Sequence, residues 1–167
     1  MAAKTTYKKA WLSLAIARIL VGCVFLWAFL DKTFGLGLAT SAASAWIYGG
    51  SPTTGFLTKG VNPDSPFAEL FGSLAGQDWV DWLFMLGLLG IGVALILGIG
   101  LRIAAVSGTL LLVMMWAAEM PLENNPIIDD HIVYAVMLWV FALGRRELSV
   151  VNWWLSYTAV KKQPWLW

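Results

Sequence analysis

Four long apolar stretches limit the folds that are open to this 167-residue chain. Two of them, residues 82–101 and 103–118, carry no charge, and the first, residues 10–30, is interrupted only by Arg18. The fourth stretch covers residues 132–144. A helix needs about 20 apolar residues to cross a bilayer, and no sustained period-two alternation indicates strands. The pattern predicts an all-α integral membrane four-helix bundle, a single domain over 1–167, with helices at about 10–33, 79–100, 102–120 and 129–145.

The composition agrees with a membrane protein and excludes several kinds of redox centre. Hydrophobic residues make up 59% of the chain and charged residues 13%, whereas soluble domains carry about 25% charged residues. The single cysteine, Cys23, excludes an internal disulfide and an iron–sulfur cluster held by this chain alone. The single histidine likewise excludes a bis-histidine haem within one chain. Membrane lipid is therefore the expected surrounding, and no nucleic acid is expected as a partner.

The distribution of charge predicts the orientation of the bundle. With four crossings the termini share a side, which holds Lys4, Lys8, Lys9, Arg102, Arg145, Arg146, Lys161 and Lys162, whereas the other side holds Lys32 and Lys59. Because Lys and Arg accumulate in cytoplasmic loops, the sequence predicts that both termini are cytoplasmic. Nine of the ten acids fall on the outer side, so the outer end of the bundle is acidic.

Two segments outside the apolar stretches have helical features. The first outer loop, about residues 34–77, contains Ser51-Pro52 and Ser65-Pro66, and each pair resembles a helix N-cap followed by proline. We expect short helices there, on the membrane surface or over the outer end of the bundle. Residues 147–160 have apolar positions at helical spacing but too many polar ones to cross a bilayer, which predicts an amphipathic helix in the cytoplasmic interface.

Small residues in the second and third apolar stretches indicate close helix packing. Gly90 with Ala94, and Ala104 with Gly108, are spaced four apart, as in pairs that allow two transmembrane helices to approach closely. The glycines follow no strand and lack the dinucleotide-binding spacing. We therefore interpret them as packing residues.

Arg18 is the one charge within the first apolar stretch, about 13 Å beyond Lys9 along a helix. Its side chain can extend to the cytoplasmic headgroups. It can equally face the bundle interior and bind a polar partner or a ligand. The sequence leaves both alternatives open.

Titratable residues collect where the predicted helices meet the outer side. The first helix ends at Asp31 and Lys32, the third ends at Glu119, and the fourth begins at Asp130 and His131. Ends of antiparallel neighbours lie at equal depth, so these five residues are the candidate catalytic group. Carboxylates can exchange protons, and His131 or Lys32 can hydrogen-bond a carbonyl, which suits an amphipathic ring such as a quinone. No metal site is predicted.

Aromatic residues lie one helical turn below these groups, at spacings of three or four that place them on the same helix face. The candidate ligand-binding residues are Trp27, Trp116 and Tyr134, with Arg18 as a further candidate. A purely structural interpretation also stands: Asp129 or Asp130 caps the fourth helix, the carboxylates are hydrated, and the aromatics form an interfacial belt.

Three segments resemble a known membrane family. In "RILVGCVFLWAFLDKTFGLG", Arg18, Gly22, Phe25 and Lys32 resemble the first helix of DoxX/DoxD-type proteins. The segments "DWLFMLGLLGIGVALILGIGLRIAAVSG" and "ENNPIIDDHIVYAV" resemble the DoxD subunit of thiosulfate:quinone oxidoreductase. The resemblance covers roughly residues 10–145.

The resemblance implies a four-helix protein of a prokaryotic cytoplasmic membrane that, with a second subunit, passes electrons from thiosulfate to quinone. An acidic outer face repels a dianion, so thiosulfate would have to be handled by the partner. Two classes of function remain: a subunit of a quinone-linked oxidoreductase, and a non-catalytic anchor or assembly subunit of a larger redox or respiratory complex.

Overall fold

The computed structural model describes residues 2–122, 125–144 and 146–166, with side chains except those of residues 2–6 and 8. Within these ranges the chain is helical and has no strand. The four longest helices are α1 (Ala2–Phe34), α4 (Asp78–Leu97), α5 (Leu101–Glu119) and α6 (Asp130–Leu143). The short helices are α2 (Thr54–Lys59), α3 (Ala68–Leu74), α7 (Val151–Trp154) and α8 (Thr158–Lys161), with 3₁₀ turns at Ala42–Ser44, Trp46–Tyr48 and Pro164–Leu166.

Three of the described helices are long and apolar enough to cross a membrane, namely Lys9–Phe34 of α1, α4 and α5. The prediction of an all-helical membrane protein is confirmed to this extent. Helix α6 is apolar but has only 14 residues, about 21 Å at 1.5 Å per residue. The predicted end of this helix at residue 145 lies outside the described residues.

The long helices pack as two pairs. Helix α1 packs mainly on α4, and α5 packs mainly on α6, whereas α4 and α5 touch less extensively. The buried side chains Phe25, Met85, Leu112 and Leu138 belong to one hydrophobic core that draws on all four helices. Large apolar side chains also cover the helix faces that point away from the core, as expected where lipid rather than water is the neighbour.

Helices α1 and α4 approach each other closely at two glycines. A Cβ on Gly92 would lie 2.8 Å from the backbone nitrogen of Leu26, and one on Gly22 would lie 3.0 Å from the carbonyl oxygen of Gly92. Gly90, which the sequence indicated as a packing residue, instead faces open space. Spacing alone does not define which face of a glycine-rich helix meets its neighbour. Here Gly92, and not Gly90, lies on the face of α4 that contacts α1. Gly108 packs against Leu138 as expected.

The single helix predicted over residues 147–160 is wrong, because this segment forms α7 and α8 with a turn between them. Leu148 has a left-handed backbone (φ 49°) before α7 begins. The backbone N–H of Val150 donates to the carbonyl of Leu97 at 3.0 Å. The Trp154 indole donates to the carbonyl of Leu166. These contacts with distant residues hold the segment against the Leu97 end of α4. This end is called the inner end, after the side on which the sequence predicts it.

The loop of residues 35–77, called the outer loop after the side on which the sequence predicts it, contains α2 and α3. Each of these helices begins two residues after the proline of a Ser-Pro pair. The predicted caps are wrong in position, because the N-cap residues are Thr53 and Phe67 and neither side chain caps its helix. Both prolines therefore lie before the helices, although the Ser51 hydroxyl still accepts a hydrogen bond from the Thr54 N–H at 3.2 Å. The loop is tied to the outer end of α5, because the Asn62 N–H donates to the Ala118 carbonyl. The Ser65 hydroxyl donates to the Ala117 carbonyl.

Candidate functional site

Helix α5 ends at Glu119 and α6 begins at Asp130, and these two helix ends lie together. The Asn125 side-chain oxygen accepts hydrogen bonds from the N–H groups of Ile127 and Ile128, both at 2.9 Å. The Trp116 indole donates to the carbonyl of Ile127 at 2.8 Å. Trp116 therefore holds this turn rather than offering its polar edge to a ligand. The result is that the start of α6 lies beside Glu119.

His131 is the centre of a cluster of three carboxylates. Its Nδ1 lies 2.8 Å from Asp129 Oδ2, 3.7 Å from Asp130 Oδ1 and 3.9 Å from Glu119 Oε2. The His131 side chain is only 13% exposed, whereas that of Asp130 is 76% exposed. The structure thus brings together Glu119, Asp130 and His131, and its tightest contact to the histidine comes from Asp129.

Asp129 caps α6 and stays ionised at lower pH than an ordinary aspartate. Its Oδ1 accepts the N–H of Ile132 at 3.2 Å. Burial alone would raise the pKa of Asp129, but the hydrogen bonds from His131 and Ile132 outweigh it and lower this pKa below 3.8, its ordinary value. The cap predicted from the sequence is therefore Asp129, and the same residue fixes the histidine ring.

We expect Asp129→Ala to destabilise the protein by about 1 kcal/mol, as for other lost N-caps. Asp130→Ala should change stability little, because that side chain is largely in water. Since the folded pKa of Asp129 is depressed, its contribution is present above its ordinary pKa and is lost as the pH falls through the folded value. Thermal unfolding of both variants at about pH 7 and about pH 3 tests this. Equal midpoints for the two variants at neutral pH would contradict the assignment.

A polar cleft of about 670 Å³ opens beside the cluster. Glu119, Asp129 and Asp130 line one side of it, and Lys59 lines it from the end of α2. Within the described ranges Lys59 forms no ion pair with these acids. The sequence analysis did not associate Lys59 with the site, because nothing in a long aperiodic loop indicates where its path returns to the bundle.

Three side chains of the cluster could hold a metal ion. Ligand atoms of Glu119, Asp129 and His131 lie within 4.8 Å of one another, and no other group of this kind occurs among the described residues. Two carboxylates and one imidazole are suitable ligands for a divalent transition metal. The imidazole nitrogen is already hydrogen-bonded to Asp129, which accounts for the cluster without a metal, so we assign none.

Lys32 and Asp31 do not join this cluster. Lys32 lines a separate cavity, and its Nζ lies 5.9 Å from the centre of the Phe84 ring. Asp31 is 2% exposed, and neither of its carboxylate oxygens has a hydrogen-bond partner among the described residues. The predicted convergence of five residues is therefore wrong for these two. Equal depth at the end of a helix does not specify which side of the helix a residue occupies.

The cavity beside Lys32 has a volume of about 290 Å³ and an almost wholly apolar wall. It lies between α4 and α5 and is covered by α2 and α3 from the outer loop. Of the residues that the structure describes, Lys32 is the one charged residue that lines it. Helix α2 borders both spaces, since Phe56 and Leu57 line the apolar cavity whereas Lys59 and Gly60 line the polar cleft.

The other two aromatic candidates do not form a common ligand site with the cluster. Trp27 is 48% exposed on the face of α1 that points away from the core, although Asp31, four residues later, is buried. Residues four apart differ by about 40° around a helix, so the boundary between the buried and exposed faces can separate them. Tyr134 packs against the hydrophobic core.

Arg18 lies in the middle of α1, thirteen residues or about 20 Å before Asp31. It is 2% exposed. Its Nη2 donates to the backbone carbonyls of Glu147 at 3.2 Å and Leu148 at 2.8 Å. Of the two alternatives, a polar partner inside the protein is therefore correct, and Arg18 does not belong to the outer site.

The side chain of Asp81, in the first turn of α4, anchors the outer loop. Its Oδ1 accepts hydrogen bonds from the Ser51 hydroxyl at 3.0 Å, the Thr53 N–H at 3.0 Å and the Thr53 hydroxyl at 2.6 Å. The aspartate is 5% exposed. This contact fixes the beginning of α2 over the apolar cavity.

Comparison of the chain with protein-family models, with curated proteins and with solved structures finds no match.

Proposed function

We propose that this chain is the membrane subunit of a quinone-linked oxidoreductase and that it handles protons at its outer end. The observation that carries the proposal is the contact of His131 with Asp129, Asp130 and Glu119 beside a water-accessible cleft. Histidine and carboxylate side chains are the usual proton carriers in enzymes, and here they meet at the adjoining ends of α5 and α6. A proton-handling group next to a lipid-facing cavity is what quinone chemistry requires.

The reaction places definite demands on the chain. Reduction of a quinone to a quinol consumes two electrons and two protons. His131, hydrogen-bonded to Asp129 and near Glu119, can accept a proton from water in the cleft and release it again. The chain has one cysteine and one histidine, so the electron carriers would belong to a second subunit.

The resemblance to DoxD favours a thiosulfate:quinone type of enzyme. In that case the partner subunit would oxidise thiosulfate, because the acidic outer face of this chain repels a dianion. The electrons, and not the sulfur compound, would then reach the membrane subunit. Membrane quinone is the proposed electron acceptor.

We further propose that α6 is the fourth crossing of a four-helix bundle with both termini in the cytoplasm. The helix is about 9 Å shorter than a bilayer core of about 30 Å. Ile127 and Ile128 precede it and are exposed, which extends the apolar surface on the outer side. The excess of basic residues on the terminal side supports the orientation.

The test uses the intact complex in its own membranes. His131→Ala and Glu119→Gln should each lower quinone reduction at least about tenfold, since a positioned proton carrier contributes about 100-fold or more. Asp64→Asn, an exposed change in the outer loop, serves as the control. Wild-type rates in both cluster variants, at equal protein levels, would contradict the proposal.

A second candidate, a non-catalytic anchor or assembly subunit, is favoured by a specific observation. Several polar groups that a site would use already have structural partners: Arg18 binds two carbonyls, Asp81 holds the outer loop and Asp129 caps α6. For an anchor, the His131 and Glu119 variants would lower the amount of assembled complex while the rate per complex stayed unchanged.

A further inference from the structure

The apolar cavity has one closed wall and one wall that faces lipid. Leu57, Phe71 and Ile91 line it and are all less than 10% exposed, whereas Leu83 and Leu110 line it and are more than 60% exposed. The exposed pair belongs to α4 and α5, the two neighbouring helices that touch less extensively. The cavity therefore opens sideways between these helices, towards the bilayer.

Its long axis follows the helices. On α4 the lining runs from Val80 to Ile91, about 16 Å, and on α5 from Ser107 to Met115, about 12 Å. Gly87 lies within this length, and a Cβ there would meet nothing within 4 Å. A space of this form accommodates an elongated, mostly apolar molecule that arrives from the membrane.

Among the described residues that line the wall, the one with a charge lies at the outer end of the cavity. Lys32 is two residues from the end of α1, and it forms no hydrogen bond or ion pair within the described part of the chain. The nearest acid that influences it is its neighbour Asp31. An ammonium group in an apolar wall lacks acceptors, so a ligand with a carbonyl oxygen at its outer end would complement it.

From these features we infer that the apolar cavity is the quinone-binding site, with the ring beside Lys32 and Phe84 and the tail leaving between α4 and α5. This inference rests on the proposed function and gives it a location. The quinone ring then lies outside the polar cleft. His131 and Glu119 are on the other side of α2, where they exchange protons with water.

The experiment measures binding of a decyl-substituted benzoquinone to the purified full chain in lipid nanodiscs. Gly87→Leu fills the cavity, and Lys32→Met removes the donor. Each should weaken binding at least tenfold. Gly90→Leu, on the same helix but facing open space, and Lys161→Met, at the inner end, should leave the affinity unchanged.

The outcomes separate this inference from the proposed function. If His131→Ala weakens binding while Gly87→Leu does not, the quinone site lies in the polar cleft, which overturns the inference but retains the function. If wild-type protein retains phospholipid in the cavity and does not bind the quinone, both are overturned. Loss of binding in Gly87→Leu with intact folding, judged by circular dichroism, supports the inference.

Discussion

Replacing Gly92 by alanine should destabilise the protein by about 1–3 kcal/mol, the usual cost of overpacking. The added Cβ would lie 2.8 Å from the Leu26 nitrogen and 3.1 Å from both the Leu26 Cα and the Gly22 carbonyl oxygen. These are backbone atoms, so relief requires α1 and α4 to move apart. Because this pair forms one of the two main helix contacts, the change should be visible as a lower thermal midpoint in detergent.

Gly90→Ala provides the matched control for this experiment. Gly90 lies on the same helix two residues earlier and faces open space. Alanine is the better helix former by about 1 kcal/mol, so this variant should be as stable as the wild type or slightly more stable. A similar loss in both variants would indicate a general effect on α4 and contradict the proposed contact.

Replacing Arg18 by leucine should cost about 3 kcal/mol, because two hydrogen bonds from a charged donor are lost at about 1.5 kcal/mol or more each. The carbonyls of Glu147 and Leu148 would lose their donor. We expect the segment after α6 to leave the inner end of the bundle. Faster hydrogen exchange at the Val150 N–H, which binds Leu97, measures that release.

Arg102→Leu is the appropriate comparison. Arg102 is exposed and donates one hydrogen bond, at 3.2 Å, to the Pro164 carbonyl. Its removal should change stability by less than about 1 kcal/mol. If Arg18→Leu behaves like Arg102→Leu in both stability and exchange, the buried contact is not what holds the segment.

The long helices could be predicted from the sequence because charges delimit them. Asp81 lies in the first turn of α4, Arg102 lies in the first turn of α5, and Glu119 ends α5. What these helices touch could not be predicted in the same way. Gly90 and Gly92 look alike in the sequence, and only the packing of α1 distinguishes them.

The candidate site was predictable where its residues are close in sequence or lie on neighbouring helices. His131, Asp129 and Glu119 meet because α5 and α6 are neighbouring helices with ten residues between them. The position of Lys32 depends on the side of α1 that it occupies. The position of Lys59 depends on the path of a loop of about forty residues, which has no hydrophobic period to indicate it. The break between α7 and α8 depends likewise on partners far away along the chain.

The contact of Arg18 with Glu147 and Leu148 also concerns how the protein is made. The two carbonyls follow Arg18 by 129 and 130 positions, so they do not exist when the first helix enters the membrane during synthesis. Until then the guanidinium can reach only the inner headgroups and water. The first helix therefore acquires its final partner only after α6, the last long helix, has been synthesised. A ribosome that stops before residue 147 leaves a chain whose earliest membrane segment still carries an uncompensated charge.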